Sequence, residues 1–145
     1  MYNHESPIRN SNFVSRKITS SLAKILIHKQ KKIILGDIDA KRDWGYAGDY
    51  VEAMWKMLQQ KKPNDFVIGT GITHSVKDFL RIAFKYVNLD YKDYIKFDKK
   101  LIRPKESVIL LADSRKAKKI LKWKPKTTFK EMIHKMIDAD IKRVK

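Results

Sequence analysis

The chain contains no cysteine, and that one absence removes disulfide frameworks, thiolate metal sites and cysteine nucleophiles from consideration. Glycine and proline are scarce, 5 and 4 in 145 residues, which excludes collagen-like and low-complexity architectures and leaves no composition for a flexible linker. Acidic residues are few: 16 Asp and Glu stand against 33 Lys and Arg, a formal net charge of +17. No apolar run approaches the ~18 residues of a membrane span, and Met-Tyr-Asn-His-Glu at the start has neither the basic nor the apolar region of a secretory leader. These absences point to a cytoplasmic protein that engages no membrane. Hydrophobic residues make up 43% of the chain, enough to bury a core, and the length suits a single domain over residues 1–145.

A basic surface gains counterion-release free energy on polyanions, so the charge raises nucleic acid as a partner. The lysines are spread through every segment, however, and zinc-finger spacing, an aromatic RNA-binding motif and a GXXG clamp are all missing. Nucleic acid is therefore not the expected ligand.

Apolar spacing predicts four main helices. Phe13, Val14, Ile18, Leu22, Ile25 and Leu26 form a stripe running to about Lys29, with Ser11 or Asn12 as cap. Tyr50, Val51, Met54, Trp55 and Leu58 form one face over Ala47 to Gln60, before Pro63. Ser75 to Asp78 and Thr128 to Glu131 read as capping boxes opening a helix through Val87 and a last helix through Val144. A shorter helix over Ser114 to Leu121 follows Asp113. Strands are expected at Lys32 to Leu35, Asp65 to Gly69 and Tyr94 to Phe97, with a brief extended piece at Arg42 to Tyr46. The fold class is α/β, with a small sheet and several amphipathic helices.

The usual chemical motifs are absent. Gly69-Thr-Gly71 follows a predicted strand, but a dinucleotide fingerprint would need a glycine at His74, so a turn is the better reading. P-loop, Gly-x-Ser-x-Gly and His-Glu-x-x-His sequences are missing, and the four histidines have no ligand spacing. Three polar clusters remain: Asn3 to Arg9, which composition alone reads as a frayed terminus; Asp39 to Gly45, where Arg42 and Asp43 suggest an ion pair beside Trp44; and Arg103 to Glu106, otherwise an ordinary loop.

Taken in order, Asn3-His-Glu-Ser-Pro7, Asn12-Phe-Val-Ser-Arg-Lys-Ile18, Asp39-Ala-Lys-Arg-Asp-Trp-Gly45, Asp49-Tyr-Val-Glu-Ala-Met-Trp55, Asp65-Phe-Val-Ile68, Arg103-Pro104 and Trp123-Lys-Pro125 resemble the C-terminal half of the GDP-mannose 4,6-dehydratase family. That family lies within the extended short-chain dehydrogenase/reductases. The resemblance implies a substrate-binding part whose N-terminal Rossmann portion is absent. In the family the glycine-rich turn and the catalytic Thr, Glu and Tyr-x-x-x-Lys precede the Asn-His-Glu-Ser-Pro loop, and none of the six tyrosines here has a lysine four residues on. The implied reaction oxidises C4 of GDP-mannose with bound NADP, eliminates water across C5 and C6, and returns the hydride to C6, giving GDP-4-keto-6-deoxymannose.

By the same resemblance, Arg42 and Arg103 grip the diphosphate, a task suited to the planar guanidinium fork. Asn3, Val14, Lys17 and Gly36 line the GDP pocket, Glu106 lies near the guanosine, and His4 and Arg9 contact NADP. The implied partners are GDP-mannose, a missing Rossmann half and, for the complete enzyme, further copies of itself. The chain alone is expected to be inactive. It departs from the family at Ile8 and Asn10, where Arg and Gly are usual, at Asp37, where Asn is common, and at Lys105 and Ser107-Val108, where Thr and Val-Asp are preferred. Two other readings stay open: a fragment of a related NDP-sugar epimerase or reductase, and a stand-alone nucleotide-sugar or polyanion binding module.

Overall fold

The computed structural model describes residues 1–102 and 110–145. The described chain has five α-helices: α1 (Val14–Leu26), α2 (Ala47–Leu58), α3 (Val76–Tyr86), α4 (Arg115–Ile120) and α5 (Phe129–Val144). Both capping boxes form as expected. At α3 the Ser75 Oγ accepts the Asp78 N–H at 3.0 Å while the Asp78 carboxylate accepts the Ser75 N–H at 2.9 Å. Thr128 and Glu131 do the same at α5, at 3.2 and 2.8 Å. Helix α1 departs from expectation at both ends. Neither Ser11 nor Asn12 caps it: Asn10 Oδ1 takes the Asn12 N–H in a turn of its own, and Phe13 precedes the first helical residue without a side-chain cap. It stops at Leu26 rather than Lys29 because His28 adopts a left-handed φ of 57°.

The strands are short and lie in two small sheets. β1 (Asn3–Glu5), β3 (Lys41–Tyr46) and β4 (Thr73–Ser75) form one in the order β1-β3-β4; β2 (Ile33–Leu35) and β5 (Ile95–Phe97) form the other. β1 runs parallel to β3 with Asn3 opposite Trp44 and Glu5 opposite Tyr46, and β3 runs antiparallel to β4 with Arg42 opposite His74. The Asn3 to Arg9 cluster is therefore no frayed terminus, since its first three residues, Asn3–Glu5, are a strand. Asp65 to Gly69 is the converse correction. It forms no ladder, because its one backbone rung is the Tyr2 N–H on the Ile68 carbonyl at 2.8 Å.

One core lies between α1, α3 and α5, where Ile18, Leu22, Phe79, Leu80, Phe84 and Met136 are fully buried. Trp44 reaches it from β3, edge-on to Phe79 and stacked on Phe129, both at 5.8 Å between ring centres. A smaller core joins Tyr50, Ala53 and Ile68 to Ala117, Leu121 and Trp123. Here the Asp49–Trp55 and Trp123–Pro125 motifs meet. The Trp123 indole N–H donates to the Asp49 carbonyl at 2.8 Å, and Asp49 Oδ2 accepts the N–H groups of Lys126 and Thr127 at 2.9 and 2.8 Å. Helix α2 thus fixes the approach to α5.

Candidate functional site

The loop after β1 is organised by Glu5, a carboxylate withdrawn from solvent. Ser15, in the first turn of α1, donates to its Oε2 at 2.5 Å, and Arg9 Nε lies 3.4 Å from the same oxygen. Burial pushes the Glu5 carboxyl above its ordinary pKa, partly offset by Ser15 and Arg9. The Arg9 guanidinium also lies 3.5 Å over the Phe13 ring, so one edge of this cation is already held within the loop. His4 sits in β1 with its ring 5.4 Å from that of Tyr50. Its Nδ1 donates to the Tyr2 carbonyl at 3.0 Å, since a carbonyl oxygen can only accept.

Strand β3 carries the next pair. Successive residues face opposite sides of a strand, so Arg42 and Asp43 diverge. The Asp43 carboxylate is buried and receives the N–H groups of Thr70, Gly71 and Ala112 at 2.9, 2.8 and 3.2 Å, with the Thr70 hydroxyl at 2.5 Å. Its role is to hold the Gly69-Thr-Gly71 turn, in which Gly71 has φ 75°, and the chain at Ala112. Sequence spacing suggested an Arg42 ion pair for this carboxylate and missed these backbone donors. Arg42 is half-buried and donates from one terminal nitrogen to the Lys41 carbonyl at 2.7 Å.

Val14 and Lys17 lie in the first turn and a half of α1, both half-buried. Gly36 follows β2 where a Cβ would sit 2.5 Å from the Leu101 carbonyl oxygen, so only glycine permits this approach. Asp37 is exposed, and its carboxylate accepts the Asp39 N–H at 2.8 Å. Arg103 and Glu106 lie outside the described residues. The described chain on either side of them is anchored: Leu101 and Ile102 against Gly36, and Leu111 and Ala112 by the Tyr2 hydroxyl and Asp43.

The two sets of expected contacts separate along the β1–β3 ladder. Arg9 is held at the Glu5 end, whereas Arg42 lies at the Asn3 end, opposite His74. A cavity of about 420 Å³ is lined by Trp44, Thr70, His74, Lys126, Phe129 and Lys130 among others and, among the described residues, by none of the expected ones. Among the described residues no cluster of His, Asp or Glu could hold a metal ion, and no helix is long and apolar enough to cross a membrane. Among the described residues the fit to a dinucleotide is poor, because the Gly69-Thr-Gly71 turn gives its Gly71 N–H to Asp43 rather than leaving it for a phosphate.

The family model described as GDP-mannose 4,6 dehydratase matches residues 1–136. The chain belongs to that family. It is 51% identical over its full length to GDP-mannose 4,6 dehydratase 1 of Arabidopsis thaliana, of which it covers 40%, and 43% identical over 97% of its length to the Homo sapiens GDP-mannose 4,6 dehydratase, of which it covers 42%. The chain thus spans less than half the length of these relatives. Its fold matches that of RMD from Pseudomonas aeruginosa complexed with NADPH, with a TM-score of 0.88 at 19% identity, over 97% of this chain and 46% of that one. A dTDP-glucose 4,6-dehydratase from Bacillus anthracis in complex with NAD matches with a TM-score of 0.80 at 18% identity, over 97% and 43%. At such identities the likeness establishes the α/β fold and no more.

Proposed function

We propose that the chain is the nucleotide-sugar-binding part of a GDP-mannose 4,6-dehydratase, the NADP-dependent lyase that makes GDP-4-keto-6-deoxymannose. The observation that carries this reading is the double anchoring of the chain around Arg103 and Glu106. Gly36 abuts one flank, and Asp43, next to Arg42, binds the other. Gly36 and Arg42, both expected to touch GDP, thereby lie beside the described chain that flanks Arg103 and Glu106. In this reading Arg42 and Arg103 bind the diphosphate, with Asn3, Val14, Lys17 and Gly36 along the nucleotide and Glu106 at the guanosine. His4 and Arg9 form the rim toward the nicotinamide cofactor, which supplies hydride transfer when bound; its cradle belongs to polypeptide outside this chain. The protein acts in the cytoplasm, and the complete enzyme assembles from several copies.

Purified chain should give no 4-keto-6-deoxy sugar from GDP-mannose with NADP, because binding groups cannot replace proton transfer worth about 10²- to 10⁴-fold or the chemistry of a cofactor. Binding is tested separately by titrating GDP and an unrelated polyphosphate at two salt concentrations. Arg42→Lys or Arg103→Lys should weaken GDP by about 1 to 2 kcal/mol at unchanged charge, since the ammonium loses the bidentate geometry. Lys118→Gln with Lys119→Gln on α4 should leave GDP binding intact. Equal affinity for both ligands, insensitive to either arginine and steeply dependent on salt, would instead mean diffuse attraction to a +17 surface and would favour a polyanion-binding module.

A further inference from the structure

The buried stripe of α5 contains one charged residue. Met132, Ile133, Met136 and Ile137 face the core, and the next position on that face is Asp140, 2% exposed. An apolar side chain would continue the stripe there, whereas a carboxylate must be desolvated and then supplied with donors. It has three. Thr19 gives its hydroxyl to Oδ2 at 2.7 Å, and Arg16 and Arg143 reach Oδ1, both at 2.9 Å. Replacing a buried ion cluster by well-packed hydrophobic residues is often neutral or stabilising, so stability alone gives no reason for an aspartate at this position. What distinguishes the carboxylate is that it holds Arg16.

Arg16 carries the link onward. With one terminal nitrogen on Asp140, its Nε donates to the Pro7 carbonyl at 3.1 Å, and only 13% of the side chain is exposed. Pro7 belongs to the loop that joins β1 to α1, and a planar guanidinium with two acceptors in fixed directions places that carbonyl rather than merely attracting it. The loop has a second tie, from Ser15 to Glu5, but that one stays within the two elements the loop joins, whereas the Pro7 tie reaches α5. Asn3 stands on β1 before the loop, and Val14 and Lys17 stand on α1 after it. The position of the loop therefore sets the spacing of three residues assigned above to the nucleotide.

We infer that Asp140 is a positioning residue of the nucleotide site: through Arg16 it fixes the Pro7 carbonyl, and with it the loop that separates Asn3 from Val14 and Lys17. The inference rests on the function proposed above for the identity of the ligand, GDP, and on the Asp140–Arg16–Pro7 contacts for the means.

Hydrogen exchange of two amides reads the loop directly, because the Arg9 N–H donates to the Ser6 carbonyl at 3.0 Å and the Phe13 N–H to the Asn10 carbonyl at 3.2 Å. Both should exchange faster in Asp140→Asn and in Arg16→Lys, which keeps the charge but loses the fork. Titration with GDP should show affinity falling about 2- to 30-fold in the same two variants, the range for substitutions that act on a site through a network. Thr19→Val is the control: it takes a donor from the same carboxylate without touching the Arg16–Pro7 contact. It should lower the melting temperature yet leave loop exchange and GDP affinity at the parent values. Equal effects of Thr19→Val and Asp140→Asn on exchange and affinity overturn the proposal, since Asp140 would then only stabilise the fold. So does unchanged loop exchange in Arg16→Lys, a variant that decides the matter even where Asp140→Asn does not fold, because Thr19 and Arg143 still serve Asp140 in it. A freed loop with unchanged GDP affinity also overturns the positioning role and leaves the nucleotide reading standing. If the parent chain binds no GDP, the nucleotide reading falls; faster loop exchange in Arg16→Lys then upholds the link from Asp140 to the loop, and unchanged exchange overturns it.

Discussion

Helices α2 and α3 are nearly equal in length and both amphipathic, yet they meet different fates. In α3, Phe79, Leu80, Ala83 and Phe84 are fully buried between α1 and α5. In α2 the apolar positions divide, Tyr50 and Ala53 inward and Val51, Met54, Trp55 and Leu58 outward. Periodicity reports that a helix has an apolar stripe; it does not report whether the covering layer lies within the same chain. The α1–α3–α5 side is a closed core, whereas the outer stripe of α2 stays exposed among the described residues.

The contrast is broken most sharply by truncation. Phe79→Ala should cost about 3 to 5 kcal/mol in denaturant unfolding, because it empties a fully enclosed site, whereas Leu58→Ala should stay within about 0.5 kcal/mol. Comparable losses at both positions would mean that the α2 stripe is covered in solution. A second contrast lies between carboxylates. Asp43→Asn keeps the shape of its side chain but turns an amide donor toward backbone donors, and roughly 2 kcal/mol should be lost by the same measurement. Asp113→Asn breaks only an exposed ion pair with Arg115 and should not measurably change stability.

Caps give a smaller effect of the same kind. Thr128→Ala removes a reciprocal cap from α5 and should cost about 1 kcal/mol in thermal or denaturant unfolding, while Ser11→Ala, ahead of a helix without a side-chain cap, should cost almost nothing.

These pairs also show what the sequence could and could not reveal. The Ser75 and Thr128 boxes were legible because the donor and the acceptor lie three residues apart, and local spacing is what a sequence displays. The α1 start was misplaced because Ser11 and Asn12 both have the right chemistry, and the Asn10 turn that pre-empts them is a matter of backbone geometry. Strand β1 was obscured because Asn3 pairs with Trp44, 41 residues away, and Asp65–Gly69 read as a strand because its composition is right although it forms no ladder with the described residues. At the candidate site, Arg42 and Gly36 came from family motifs. The Asp43 hub escaped notice because three of its four donors are backbone N–H groups, which no side-chain pattern can announce.

The smallest expected effect is the dependence of stability on pH, where the closed core and the β1 loop should respond with opposite signs. His74 stacks on Phe129 at 3.9 Å, and burial lowers its pKa, against the opposing pull of Asp78 and Asp43. Between its ordinary value of 6.5 and this lower folded value the unfolded chain binds more protons, so acidification through that window destabilises the fold. Glu5 is raised by burial, so between 4.5 and its folded value the native state binds more protons, and acidification through that lower window restores stability. Thermal unfolding from about pH 7.5 down to about pH 4.5 separates the two contributions. The stability of the parent relative to His74→Gln should be flat above about pH 7.5 and decline on acidification below the ordinary histidine pKa. Relative to Glu5→Gln it should rise as pH falls toward 4.5. His134, lowered chiefly by burial, is present in both comparisons and cancels from each difference. A parent and His74→Gln pair whose difference ignores pH would mean that the ring beside Phe129 is solvated, and with it the edge of the core that α3 and α5 enclose.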